Sequence, residues 1–162
     1  MNNEIINLSR ICKKYKTPSN EINVLKNIDI KINQGEIVSL NGPSGSGKST
    51  LLHIIALLDQ PTSGEVFFKR KSFSKASENE RDKARKKEIS IIYQQNNLLS
   101  DFTALENVII PLINNDYSWI ESKKQALKML SSVNLDERVN HFPSEMSGGE
   151  QRRVTLARVL VL

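Results

Sequence analysis

With a single cysteine, Cys12, this 162-residue chain can build no internal disulfide, and such usage suits a reducing compartment. Long apolar runs are absent as well. The longest, Leu51 to Leu58, is interrupted by His53 and falls far short of a bilayer span. The opening Met1-Asn2-Asn3-Glu4 is polar and acidic and has no secretory character, so membrane contact is expected to come only through a partner. There is no internal repeat, low-complexity tract or obvious flexible linker.

What remains is the composition of one globular domain, 38% hydrophobic and 25% charged, with a net charge of +5. That charge has a local source. From Lys69 to Glu88, nine bases (Lys69, Arg70, Lys71, Lys75, Arg81, Lys83, Arg85, Lys86, Lys87) face four acids (Glu78, Glu80, Asp82, Glu88), which yields +5 and leaves the rest of the chain balanced. Ser77-Glu78-Asn79-Glu80 can cap a helix whose acids come early and whose bases come late, matching the helix dipole. No aromatic interleaves that helix. A solvated helical face is therefore favoured over a nucleic-acid or anionic-lipid patch, and no nucleic-acid partner is expected.

The most specific signal is Gly42-Pro43-Ser44-Gly45-Ser46-Gly47-Lys48-Ser49-Thr50, a G-x-x-x-x-G-K-S run. It follows the apolar stretch Glu36 to Leu40 and opens into Leu51-Leu52-His53-Ile54-Ile55-Ala56-Leu57-Leu58, so strand, loop and helix are all predicted in the order that a phosphate-binding P-loop needs. Its amides can converge on phosphate oxygens, Lys48 can reach the β- and γ-phosphates, and the Ser49 hydroxyl can ligate Mg²⁺. ATP and Mg²⁺ are the expected ligands. A Gly/Ser-rich connector is the bland alternative. A second run, Met146-Ser147-Gly148-Gly149-Glu150 before Gln151-Arg152-Arg153, joins a seryl cap and two glycines to a helix start, which makes another anion-facing terminus or an ordinary capped helix.

Together the two runs resemble the ATP-binding-cassette (ABC) family, whose signature is usually L-S-G-G-Q; here Met146 replaces the Leu and Glu150 the Gln. The resemblance implies an α/β P-loop NTPase core with an N-terminal antiparallel β subdomain and an inserted α-helical subdomain. The expected division is residues 1–95 for the β subdomain and P-loop core, 96–146 for the helical part, and 147–162 for the signature and its helix. It implies that Ser147, Gly148 and Gly149 close over the γ-phosphate held by the P-loop of a second subunit in a head-to-tail homodimer. Gln94, at the end of the apolar stretch Ile89 to Tyr93, matches the family's Q-loop residue that contacts Mg²⁺ and the attacking water. Gln95 is its neighbour. Tyr15, in Lys13-Lys14-Tyr15-Lys16, stands where the family stacks an aromatic on adenine; an exposed tyrosine is the plain alternative.

Within the family the chain is most similar to the lipoprotein-releasing, LolD-type group and its MacB- and FtsE-type relatives. The similarity lies in Pro43 to Ile54, Leu57 to Val66, Asn97 to Val108 continuing to Pro111, and Phe142 to Glu145, with Ser90 a departure from a usual Gly. It implies an ATPase on the cytoplasmic face of a bacterial inner membrane, acting with integral membrane subunits of the LolC/LolE type. The family also uses a Walker B Asp, a general-base Glu and a switch His after the signature helix. Residues 1–162 are expected to lack all three, so the fold is expected to be incomplete at the C-terminus, with nucleotide bound weakly and not turned over. Ile54 to Asp59 mimics a Walker B pattern but is read as part of the P-loop helix, so Asp59 is not expected on a neighbouring strand tip, and His53 and His141 read as structural. A binding-only module, a MacB-type subunit and, more remotely, a small P-loop kinase are the other readings.

Remaining elements follow from pattern. Strands are predicted at Ile5–Ile11, Ile22–Ile32 and Glu65–Phe68, the last after a Pro61-Thr62-Ser63-Gly64 turn. Helices are predicted at Thr103–Ile110, ending near Pro111, at Ser118–Val133, and at Gly149–Leu162.

Overall fold

The computed structural model describes residues 3–18 and 20–162. They divide into two units, one ending at Arg85 and one beginning at Lys86.

The first unit is organised by an antiparallel sheet of order β2-β1-β3-β4. β1 (Glu4–Lys16) and β2 (Glu21–Asn33) form a hairpin in register from Glu4 opposite Asn33 to Lys16 opposite Glu21. Alternation alone would turn Ile11 away from the core that receives Ile6 and Leu8. A bulge corrects this: the register shifts between Leu8 and Ile11, Arg10 takes φ 50°, and its freed N–H donates to Asp29 Oδ1 at 2.8 Å. Ile11 is consequently fully buried. β3 (Ser63–Phe68) crosses β1 at the bulge, and Gly64 belongs to this strand rather than to the preceding turn. A Cβ on Gly64 would stand 2.4 Å from the Arg10 carbonyl oxygen, at φ +97°. β4 (Lys71–Ser72) completes the sheet through Lys69 and Arg70, both at positive φ, the geometry of a two-residue hairpin turn.

Helix α1 (Lys48–Ile55) buries Leu51 and Ile54. It stops short of Leu58 because Leu57 turns to φ 57° and buries its side chain, while the amides of Leu58 and Asp59 both fold back on the His53 carbonyl. α2 (Glu78–Glu88) starts at the predicted cap: Ser77 Oγ accepts from the Glu80 amide, and Glu80 Oε2 accepts from the Ser77 amide at 3.0 Å. Arg81 pairs with Glu78, and Arg85 with Glu78 and Asp82, so the basic helix carries acids for its own bases.

The second unit is built from α3 (Ala104–Asn114), α4 (Trp119–Ser132) and α5 (Gly148–Leu160). Their apolar faces meet in a core that includes Val108, Ile109, Leu112, Leu130, Leu135, Val154 and Ala157. Each helix begins with a capping box, Thr103 with Glu106, Ser118 with Glu121, and Ser147 with Glu150. α3 continues through Pro111, where the sequence predicts an end. Burial of Val108, Ile109 and Leu112 carries it past the lost N–H, and the Asn115 side-chain amide donates to the Pro111 carbonyl at 3.0 Å. Met146 lies in the same core, 6% exposed, where a thioether replaces a leucyl side chain at nearly constant volume.

Two expected strands are not formed. Residues 36–40 and 89–93 belong to no ladder. A parallel strand exists only when neighbours take its N–H and C=O groups, and among the described residues neither stretch has them. Ile37, Val38 and Ile92 are exposed as a result. No helix among the described residues is long and apolar enough to cross a membrane.

Gly64→Ala is expected to destabilise the first unit by ~2 kcal/mol or more, because the methyl group meets backbone and not a movable side chain. Thermal melts of the two proteins compare them directly, and an unchanged melting temperature would refute the close approach.

Candidate functional site

The candidate residues fall into two groups, one in each unit. In the first, Gly42–Thr50 wrap a cavity of about 480 Å³ lined by Val24, Ser44, Gly45 and Gly47 to Thr50. No carboxylate lines it. The Lys48 ammonium donates to the carbonyls of Gly42 at 2.8 Å and Pro43 at 2.6 Å. Those two residues thus hold the lysine through their carbonyls, and Pro43 has no N–H to offer a phosphate. Gly47 caps α1 at φ 88° without a side chain, so the amides of the first turn meet no side-chain acceptor at the cap. A Cβ at Gly47 would lie 3.0 Å from Val24 Cγ1, Leu25 Cδ2 and the Val24 carbonyl, so β2 packs directly on the loop. An anionic group fits this cradle: it is lined by a cation, hydroxyls of Ser44, Ser49 and Thr50, and the positive end of a helix. Among the described residues no cluster of three or more His, Cys, Asp or Glu could hold a metal ion alone. Mg²⁺ would therefore be shared between exposed Ser49 and phosphate oxygens, the usual division of its ligands.

Tyr15 lies on β1 opposite Ile22, two residues along β2 from Val24 and so ~7 Å along the strand from the P-loop contact. Its hydroxyl donates to Asp59 Oδ2 at 3.0 Å, and the residue is 41% exposed. Lys13 donates to Asp59 Oδ1 at 2.6 Å and to the Gln60 carbonyl at 2.7 Å, and its ammonium sits 5.0 Å from the centre of the Tyr15 ring. Partial burial would raise the Asp59 carboxyl, but hydrogen bonds from Lys13, Tyr15 and the Gln60 amide outweigh it and hold the group below its ordinary range. Asp59 is no Walker B residue, as the sequence indicates, yet it has work to do at Tyr15. The sequence signal for that, an Asp just past a helix end and a Lys two residues before a Tyr, is too common to single out.

In the second unit, exposed Gln94 and Gln95 line an open cavity of about 610 Å³ with Gly148, Gly149, Gln151 and Arg152. The chain after Gln95 is pinned to one face of α5. Asn96 Nδ2 donates to Gln151 Oε1 at 3.2 Å, Thr155 Oγ1 lies 3.1 Å from the Asn96 carbonyl, and Arg158 donates to the carbonyls of Asn96 and Asn97 at 3.2 and 2.9 Å. Burial pushes the Arg158 guanidinium below its ordinary value. Residues 151, 155 and 158 share a helical face, but their common target is a distant backbone segment, which periodicity alone does not reveal.

Ser147, Gly148 and Gly149 form the start of α5. A Cβ at Gly148 would meet nothing within 4 Å, and one at Gly149 only the Arg153 guanidinium at 4.0 Å, so the chain's own packing does not demand either glycine. Ser147 Oγ donates to Glu150 Oε2 at 2.8 Å and accepts from the Glu150 amide at 3.3 Å. Glu150 also accepts from Arg138 Nε at 3.1 Å, and the Arg138 guanidinium lies 3.1 Å from His141 Nε2, in keeping with a structural His141. His53 is exposed on α1, its carbonyl closing the turn after the helix.

The chain is similar to known proteins of one family. A family model described as ABC transporter matches residues 25–162. Two solved structures of the cassette MJ0796 are similar over 97% of this chain and 69% of their own, each with a TM-score of 0.88. One is a dimer in a post-hydrolysis state bound to ADP and Pi, at 42% identity; the other is a dimer described as a bacterial ABC transporter cassette, at 43%.

The backbone N–H and hydroxyl of Ser147, then Arg138, hold the Glu150 carboxyl below its usual value. Its contribution to folding is therefore complete above the unfolded pKa of 4.5 and is lost as pH falls through the lowered folded value. Melting temperature is expected to fall more steeply on acidification below about pH 4.5 in the wild type than in Glu150→Gln. Identical slopes would remove the carboxylate from the cap.

Proposed function

This chain belongs to the ABC transporter family, and we propose that it is the ATP-binding subunit of a lipoprotein-releasing transporter of the LolD type. Support for the narrower assignment comes from the run Phe102-Thr103-Ala104-Leu105-Glu106-Asn107-Val108-Ile109-Ile110-Pro111 and the segments around it. In this reading the subunit sits peripherally on the cytoplasmic face of a bacterial inner membrane, bound to membrane subunits of the LolC/LolE type.

The observation that carries nucleotide binding is the state of Lys48. Among the described residues its ammonium bonds to carbonyls of its own loop, and it lines a cavity to which no described carboxylate contributes. A triphosphate offers that cation a charged acceptor in place of neutral ones. The amides from Gly45 to Thr50 and the start of α1 receive the phosphate oxygens, Ser49 ligates Mg²⁺, and Tyr15 stacks on the adenine. Mg²⁺ neutralises charge on the phosphates and helps orient them for attack. By the family resemblance, Gln94 is the residue that would contact Mg²⁺ and the attacking water.

Ser147, Gly148 and Gly149 complete the site from a second copy. Glycines that the chain's own packing does not require make sense where another surface must come close to bare amides. The dimeric state of the two MJ0796 structures supports this pairing.

Calorimetric titration of the full chain with Mg-ATP tests this assignment. Lys48→Ala is expected to weaken binding roughly 10- to 100-fold, the loss of one charge-assisted hydrogen-bond donor. Equal affinities for ATP would overturn the P-loop assignment.

A further inference from the structure

We propose that Asp59 is a positioning residue for the Tyr15 ring, and through it a determinant of how tightly the nucleotide's base is held. The proposal rests on the reading of Tyr15 as the adenine-stacking residue.

A tyrosine on an exposed hairpin end has two free torsions and little to hold it. Here three observations fix the ring. Its hydroxyl is tied to Asp59 Oδ2 at 3.0 Å, across 44 residues of sequence. The other carboxylate oxygen holds Lys13 at 2.6 Å, and that ammonium lies over the ring, 5.0 Å from its centre. Lys13 is itself well buried, its side chain 12% exposed, and its second bond to the Gln60 carbonyl leaves it little freedom. One ring face is therefore occupied by a cation and the hydroxyl end is anchored, while the residue as a whole remains 41% exposed. The opposite face is the one left for a flat ligand. A purine base stacks offset on such a face without any hydrogen bond to it.

Asp59 is placed for this by the end of α1. The turn of Leu57 to φ 57° and the return of the Asp59 amide to the His53 carbonyl direct the chain back toward β1. The same turn carries Gln60, whose amide donates to Asp59 Oδ1 at 2.7 Å. The carboxylate is thereby oriented by groups on both sides before any ligand arrives, and a ring held in place in advance loses less freedom when the base stacks on it.

Binding of Mg-ATP and of Mg-tripolyphosphate to the full chain separates this role from a structural one. Asp59→Ala is expected to weaken ATP binding about three- to tenfold and to leave tripolyphosphate binding within about twofold of the wild type. Asp59→Asn, which keeps an acceptor for the tyrosine hydroxyl, is expected to lose less. In a Tyr15→Ala background, itself expected to bind ATP about tenfold more weakly, Asp59→Ala should have no further effect. An equal loss for both ligands, the same loss with Tyr15 absent, or no loss on Asp59→Ala while Tyr15→Ala still weakens ATP would each overturn the role of Asp59. If Tyr15→Ala binds ATP like the wild type, the stacking assignment itself falls, and this inference with it.

Discussion

The approach of β2 to the P-loop at Gly47 is the contact on which the first unit depends. Val24 and Leu25 come so close that a side chain at Gly47 would strike both and the Val24 carbonyl, 3.0 Å away in each case. That contact fixes where the phosphate cradle stands on the sheet. It also sets the distance to Tyr15, since the hairpin register places that ring two residues further along. The bulge at Arg10 and the bare backbone of Gly64 then let β3 lie flush against β1, and the connection before it delivers Asp59 to the hairpin's end. The positions of the Gly42–Thr50 loop and of the Tyr15 ring are in this way set by strand geometry rather than by the loops alone.

The second unit uses a different device. Three helices each begin with a hydroxyl and a glutamate exchanging hydrogen bonds with the first-turn amides. In α5 the same box also presents two glycines at the helix start. Cap strength and an open anion-facing end are therefore combined in five residues, Ser147 to Gln151. One helical face further along, Thr155 and Arg158 hold the backbone that follows Gln94. Asn107 performs a comparable task in α3: fully buried, it accepts from the Leu99 amide and donates to the carbonyls of Leu99, Phe102 and Thr103, so the turn into the helix leaves no polar group of that side chain unpaired.

The loop Gly42–Thr50 and the start of α1 were legible in the sequence because their signal is local. Nine consecutive residues contain the turn, the lysine and the helix start. The two N-terminal strands, the α4 boundaries and the Ser77 cap were legible for the same reason, each being encoded within a few residues of itself. Residues 36–40 and 89–93 have the composition of buried strands, but composition does not supply a ladder, and both stay unpaired. Pro111 marked a helix end that burial on both sides overrides. Asp59 and Arg158 were missed because each acts across the fold: the Tyr15 to Asp59 bond spans 44 residues, and that of Arg158 to Asn96 spans 62. Gly64 read as a turn residue, since only the position of Arg10 across the sheet explains it.

The central claim is that one chain carries two halves of different nucleotide sites. Sedimentation of mixed variants with Mg-ATP addresses it most directly. Lys48→Ala disables the cradle. Gly148→Asp puts a carboxylate where the γ-phosphate of the partner would lie, in open space and at a helix start that tolerates an acid. Each variant alone should fail to associate on adding Mg-ATP, while an equimolar mixture, which can assemble one intact site from an unmodified cradle and an unmodified signature, should regain association. A mixture that associates no better than its components would contradict the shared site.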